Sequence, residues 1–426
     1  MTTPAAGSEV TAEDVLRRVR ELLEAHDPRT TPRLDFLRAR FDAGLTWVHF
    51  PVGLGGLGAP RELQAVANDA LNAAGAPTND PNRIGIGLGM AAPTILAHGT
   101  DEQRRRFLRP LWTGEEVWCQ LFSEPGAGSD LAGLATRAVP VGGDAGSETD
   151  ALETDALETD TTEAWIVDGQ KVWTSMAHEA RWGILIARTD PGVPKHRGLT
   201  YFVCDMTAPG VEVRPLRQIT GEAEFNEVFL TGVRIPDSDR LGAVGDGWTV
   251  ARTTLMNERV AIGGGSSPRE GGVIGVVAKE WRERPELRTA AAHDTLMRLW
   301  VEAEAARLTA ARLRQSLAAG QPGPEGSAAK LAYARLNQEI SAFEMDLLGE
   351  EGLRHDTWTS DTWATERPTT VDFAGRFATY RYLRAKGNSI EGGTSEILRN
   401  IIAERVLGLP PESRVDTDVP WKDLAQ

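Results

Sequence analysis

Cysteine is scarce: Cys119 and Cys204 are the two in a chain of 426 residues. Both sit in apolar stretches. A disulfide framework and a CxxC metal pattern are therefore excluded, and buried thiols in a reducing cytoplasmic setting are expected. Positive charge is also short, with a formal net charge of −15. That argues against nucleic acid as a partner, because phosphate backbones are bound by clustered Lys and Arg. A phosphorylated cofactor needs only local donors. No run of about 18 apolar residues is present, so no membrane span is expected. The opening MTTPAAGSEV lacks the basic and apolar regions of a secretory signal. The common chemical signatures are missing as well. There is no GxxxxGK[ST] loop, no HExxH, no GxSxG and no GxGxxG after a strand; GIGLGM (85–90) has the wrong spacing. The seven histidines do not cluster. A bound nucleotide would have to be held by some other architecture.

What is present is an ordinary globular mix, 41% apolar and 25% charged. The length predicts two or three packed subdomains. Residues 11–26 open with Thr11 and Asp14, a capping-box pair, and carry Val15, Leu16, Val19, Leu22 and Leu23 on one helical face. WVHFPVGLGGLGAP (47–60) reads as loop and 61–75 as helix. Thr100 and Gln103 form a second capping box. The pattern then changes to short strands. AWIVDGQKVWTS (164–175) is expected to be two strands around an Asp168-Gly169 hairpin turn, followed by strands at 183–188, 199–204, 211–216 and 226–235. Within this region SETDALETDALETDTTE (147–163) is acidic and repetitive, and reads as a solvated insertion between strands (141–163). From Gly245 the chain is helical again, with long helices at 295–319, 327–349 and 395–408 and a GQPGPEG break at 320–326. Leu336, Ile340, Phe343 and Leu347 form one stripe. The order predicts an α+β chain: a helical part (1–117), a β barrel or sandwich (118–238) and a four-helix bundle (239–426).

Three strings carry the chemistry. In CQLFSEPGAGSDLAGLATRA (119–138), Gly126 and Gly128 free the backbone for close approach, and Ser123 and Ser129 set hydroxyls beside exposed N–H groups, an arrangement suited to a ring edge or a phosphate. In DGQKVWTS (168–175), Trp173 stands at a strand end. NSIEGGTSEILRNIIAERVLGLP (388–410) runs through a Gly-Thr turn into the last helix.

Together SEPGAGSD, the Trp173 segment and the Gly393-Thr394 turn closely resemble the acyl-CoA dehydrogenase family, and the order of elements follows that family over roughly residues 10–410. The resemblance implies FAD between a β domain and a helical bundle, with Trp173 packed on the flavin ring and the Ser175 hydroxyl bonded to flavin N5. It puts Gln120, Phe122, Ser123, Gly128, Ser129, Thr174, Thr394 and Glu396 at the cofactor, with Ser129 and Arg259 also at the substrate. It further implies α,β-desaturation of an acyl thioester, on CoA or on a carrier protein, with electrons passed to an electron-transfer flavoprotein or another acceptor. Oxidases and monooxygenases share the scaffold and remain alternatives.

The reaction needs a carboxylate beside the α-carbon and donors for the developing enolate oxygen. In many members the base is the Glu directly before Gly-Thr; here Gly392 stands there and Glu391 is one residue earlier. A second lineage of the family carries its base on the first bundle helix, before an arginine, and LMNERVAIG (255–263) has Glu258 and Arg259 at that place. Glu258 is therefore preferred to Glu391, with the Gly392 backbone as a donor to the thioester oxygen. Two strings that contact the FAD of a neighbouring subunit in the family are altered. AKEWRERPELRT (278–289) keeps Arg282 and Arg284 but lacks Phe-Gly, and DLLGEEGL (346–353) puts Asp346 and Glu350 where a Gln and a Gly are usual. A homodimer or homotetramer is expected, with a heterotetramer as the rival.

Overall fold

The computed structural model describes residues 10–142, 163–263, 268–318, 325–355, 376–413 and 416–424. The acidic insertion lies outside these residues apart from Val141, Gly142 and Glu163, as does most of the 320–326 break. The chain divides into two compact units, Met1–Trp118 with Ala180–Trp182, and Cys119–Glu179 with Gly183–Gln426.

The first unit is helical. Helix α1 (Ala12–Ala25) begins at the expected capping box: the Thr11 side chain accepts from the Asp14 backbone N–H, and Asp14 accepts from the Thr11 N–H at 3.1 Å. Its Val15, Val19 and Leu22 are buried with Phe36 of α2 (Arg33–Asp42), Leu45, Val48, and Ala67 and Leu71 of α3 (Leu63–Ala73). After α4 (Pro81–Ile86), GIGLGM is part of a helical stretch. It continues through a π-type turn (Gly87–Ala91) into α5 (Ala92–His98). Helix α6 (Asp101–Thr113) starts at the second capping box, Thr100 with Gln103. Phe107 on α6 meets Trp118 and Trp182 edge-on at 5.4 and 5.2 Å, a favourable aromatic geometry.

The second unit holds a sheet and helices. Its strands are β1 (Trp118–Leu121), β2 (Arg137–Val141), β3 (Ala164–Ser175), β4 (Trp182–Arg188), β5 (Leu199–Asp205), β6 (Val211–Pro215), β7 (Phe225–Pro236) and β8 (Arg240–Leu241). They lie in the order β6-β7-β3-β2-β4-β5-β8, with β1 against β4. One expectation fails here: Asp168-Gly169 is not a hairpin turn. β3 runs straight through it, antiparallel to β7, with a register shift between Val167 and Gly169. The Asp168 carboxylate accepts the Gly232 N–H of β7 at 2.8 Å. A Cβ at Gly169 would lie 2.3 Å from the Thr136 hydroxyl. The pair that reads as a turn therefore marks a bulge with a close backbone approach. β2, which pairs with β3, was not expected as a strand.

The helices of this unit are α7 (Gly247–Gly263), α8 (Val273–Glu283), α9 (Ala290–Ala318), α10 (Glu325–Leu348), α11 (Ala378–Ala385) and α12 (Ser395–Arg405). Leu336 and Ile340 of α10 are buried with Ile274 and Val277 of α8 and Leu296 and Leu299 of α9; Phe343 and Leu347 pack beside them, so the expected stripe faces that core. Helix α10 also contacts α7, α11 and α12. Among the described residues, no helix is long and apolar enough to cross a membrane.

Candidate active site

The site is built where three strings distant in sequence meet within the second unit. Lys171 of β3 is fully buried. Its ammonium donates to the Phe122 carbonyl at 3.1 Å, the Ile186 carbonyl at 2.9 Å and Glu124 at 2.8 Å. Glu124, the second residue of SEPGAGSD, also accepts the Ala135 and Thr136 N–H groups at 2.7 and 3.0 Å. Burial pulls the Glu124 carboxyl up; Lys171 and these donors together outweigh it and hold the group below the usual carboxylate range. This buried pair fastens the loop after β1 to the middle of β3.

Past Lys171 the ladder to β7 slips again before Thr174. The slip frees the Val172 N–H to donate to the Ser123 carbonyl at 2.8 Å, and it throws Trp173 outward. Trp173 has φ 59° and is 58% exposed. A bulky residue in the left-handed region is strained, and such strain gathers at functional sites. The indole stands 6.1 Å from Phe225 in edge contact. Beside it Thr174 is fully buried, and its hydroxyl has no partner among the described residues. Ser175 is half-buried at the strand end.

Glu258 lies half-buried in the fourth turn of α7. The Gln120 side-chain amide donates to it at 3.3 Å, while the other amide atom of Gln120, its oxygen, is buried with no partner among the described residues. One turn earlier on the same helix face, Thr254 bonds the Tyr201 hydroxyl at 2.8 Å. Burial, and then the Glu258 charge, push that phenol far upward. Arg259 follows Glu258 in the helix; its side chain lies outside the described residues.

Glu391 has a different environment. It takes Arg384 Nη2 at 2.9 Å and Nη1 at 3.3 Å, and Asn388 Nδ2 at 2.6 Å. Burial would raise this carboxyl, but Arg384, Asn388 and Lys330 outweigh it and keep it low. A carboxylate so engaged is a poor proton acceptor. Gly392 and Gly393 follow with φ 65° and 96°, a turn that only glycine enters freely, so a side chain at 392 would be strained. Thr394 caps α12 through the Ile397 N–H at 3.3 Å, and the exposed Glu396 pairs with Arg399 at 3.3 Å.

Of the residues singled out from sequence, Gln120 and Glu258 touch, Ser123 and the Trp173 segment are joined through Val172, and Glu391 connects to the Trp173 side through Arg384, whose guanidinium stands 5.9 Å from the Phe225 ring. Phe122 is buried edge-on to Tyr201 at 5.8 Å. Gly128 and Ser129 are exposed on the loop, and nothing stands within 4 Å of a Cβ built on Gly128. Glu396 is not drawn into these contacts. Sequence reading missed Lys171 and Lys330, whose partners are distant in the chain, and Arg384, whose partner Glu391 lies seven positions on. The signal available for them was a Lys or Arg inside an otherwise apolar element. The exposed indole, the unpartnered Thr174 hydroxyl and the unpartnered Gln120 oxygen fit a flat heterocycle that has an apolar face and a polar edge, as a flavin does.

Models of the acyl-CoA dehydrogenase N-terminal, middle and C-terminal domains match residues 7–115, 142–233 and 245–407. The acyl-CoA dehydrogenase FadE34 of Mycobacterium tuberculosis is 42% identical over 370 residues, covering 87% of this chain and 45% of that protein. The chain thus spans less than half of that relative. The acyl-CoA dehydrogenase IpdE1 of the same organism is 37% identical over 380 residues, 87% of this chain and 86% of the relative. Among solved structures, the ChsE4–ChsE5 complex from M. tuberculosis aligns with TM-score 0.65 at 27% identity, covering 97% of this chain and 100% of the other. The Tcur3481–Tcur3483 steroid ACAD aligns with TM-score 0.67 at 24% identity, covering 94% and 98%, a likeness of fold.

Proposed function

The chain belongs to the acyl-CoA dehydrogenase family, and from that premise we propose that it desaturates an acyl thioester, with Glu258 as the base that takes the α-proton. The observation that carries this is the engagement of the rival carboxylate, Glu391. Glu391 is committed to Arg384, Asn388 and the charge of Lys330, which hold it low, and Glu258 receives the Gln120 amide. FAD, when bound, supplies the acceptor for the β-hydrogen, which leaves as hydride. Trp173, Thr174 and Ser175 would border the flavin ring. Gln120, Phe122, Ser123, Gly128 and Ser129 would line it from the β1 loop, with Thr394 and Glu396 near the last helix. Ser129 and Arg259 would also meet the thioester. Glu258 holds the proton, and the Gly392 backbone N–H donates to the oxygen on which charge develops.

The substrate class we propose is an acyl-CoA, since the relatives are named for it. An electron-transfer flavoprotein would receive the electrons. We also propose domain limits of 1–117, 118–238 and 239–426. For assembly we propose a homo-oligomer, with a complex of two different chains, as in ChsE4–ChsE5, the outcome to test against. The first experiment is an anaerobic visible spectrum of the FAD-loaded protein with a panel of acyl-CoAs. Bleaching of the flavin bands by one acyl-CoA supports the reading; bleaching by none, across short, branched and polycyclic acyl groups, overturns it. Fast re-oxidation in air with peroxide released would move the chain to an oxidase reading.

A further inference from the structure

Lys330 plays no part in the scheme above, yet the charges of both of its carboxylates act on it. It sits in the second turn of α10 and has no exposed surface. Its ammonium donates to the Gly393 carbonyl at 2.7 Å. An ammonium buried with one acceptor is costly unless negative charge stands near. Two such charges do: burial pushes Lys330 below its usual range, while Glu391 and Glu258 both act to keep its proton on. Glu391 is at the same time held by Arg384. Of the two, Glu258 is the one whose charge changes in the proposed reaction.

We propose that Lys330 is a positioning residue for proton abstraction: it fixes the Gly392–Gly393 turn through the Gly393 carbonyl, and its charge stabilises the enolate as Glu258 becomes neutral. In that step the α C–H bond breaks, the proton goes to a Glu258 oxygen, and the bond's electron pair moves to the thioester oxygen. Before the step Glu391 and Glu258 both offset the Lys330 charge. After it Glu258 no longer does, and more of the positive charge is felt at the turn whose Gly392 N–H is proposed to meet the new oxyanion. Charge placed in advance where charge will develop is an effective form of stabilisation. The inference rests on Glu258 being the base.

The test isolates proton transfer from hydride transfer. An acyl-CoA with sulfur in place of the β-carbon has no β-hydrogen to give, so its only reaction is exchange of the α-protons. The FAD-loaded protein is incubated with it in D2O, and α-deuterium is read by mass spectrometry. Lys330→Gln keeps a donor for the Gly393 carbonyl but removes the charge; it is expected to slow exchange by about a hundredfold with flavin content unchanged. Lys330→Arg keeps the charge and is expected to stay within about tenfold of wild type. If Lys330→Gln does not retain flavin, Lys330→Met, which fills the same volume, replaces it with the same expectation. Wild-type exchange in the uncharged variant, with none in Glu258→Gln, overturns the role of Lys330 and leaves the base assignment standing. Exchange that survives Glu258→Gln overturns the base assignment, and the inference falls with it.

Discussion

At the scale of single residues, the buried charges organise the site. Lys171 and Glu124 are bonded at 2.8 Å with almost no exposed surface. Removing one partner leaves the other charge unpaired, so Lys171→Met is expected to cost about 3–5 kcal/mol; a urea melt showing less than about 1 kcal/mol would contradict the arrangement. The pH dependence has a fixed sign. The Glu124 carboxyl is held below its unfolded value. Its contribution is therefore complete above the unfolded range, about pH 4.3, and is lost as the pH falls through the lower folded value. Acid unfolding of Glu124→Gln should accordingly show a weaker dependence on pH below about 4.3. None of this was legible from the string SEPGAGSD, in which Glu124 looks like one more loop acid. Lys171 lies 47 positions away, and local periodicity does not reveal a pair so distant. Lys330 was hidden for a similar reason. On a helix a lysine usually marks the solvated face, and here the helix buries it.

At the scale of elements, the end of β3 shows a local rule broken where function is expected. The slip between Lys171 and Thr174 places Trp173 at positive φ and leaves its indole exposed. Trp173→Gly removes the backbone strain and little buried area. The flavin-free protein should keep its stability to within about 1 kcal/mol, while FAD affinity falls by at least about tenfold. A large loss of stability without a change in FAD affinity, read by thermal melting and flavin fluorescence, would mean that Trp173 is a core residue. The α1 cap gives a plainer case, because the Thr11 and Asp14 bonds are both present: Thr11→Ala should cost about 1 kcal/mol in a urea melt. Helices and strands with clear periodicity were legible, as were both capping boxes, because their signals lie within a few residues. The hairpin at Asp168-Gly169 was misread. Asp-Gly serves a turn and a bulge equally, and the choice was made by β2 and β7 packing on either side. β2 itself gave no strong signal, with a proline next to its last residue and the acidic run following.

At the scale of the whole molecule, the order of helices, sheet and helices followed from pattern alone, and the motif strings pointed to the family that the domain models and the relatives bear out. Assembly did not follow. Arg282 and Arg284, which the resemblance led us to expect at a neighbour's cofactor, are here bonded to Glu270 at 2.5 Å and to Glu286 and Glu351 at 2.9 and 2.8 Å. A homo-oligomer predicts that the protein expressed alone elutes above its 46.2 kDa chain mass with about one FAD per chain; a flavin-free monomer would favour a second kind of subunit. The central claim, that Glu258 and not Glu391 takes the proton, is tested most directly by single-turnover flavin bleaching with one active acyl-CoA, run on wild type, Glu258→Gln and Glu391→Gln side by side. The expected result is a loss of about a hundredfold to ten-thousandfold in the Glu258 variant, with the Glu391 variant within about tenfold of wild type. Unslowed bleaching in Glu258→Gln together with its loss in Glu391→Gln would contradict the claim and move the base to the C-terminal turn.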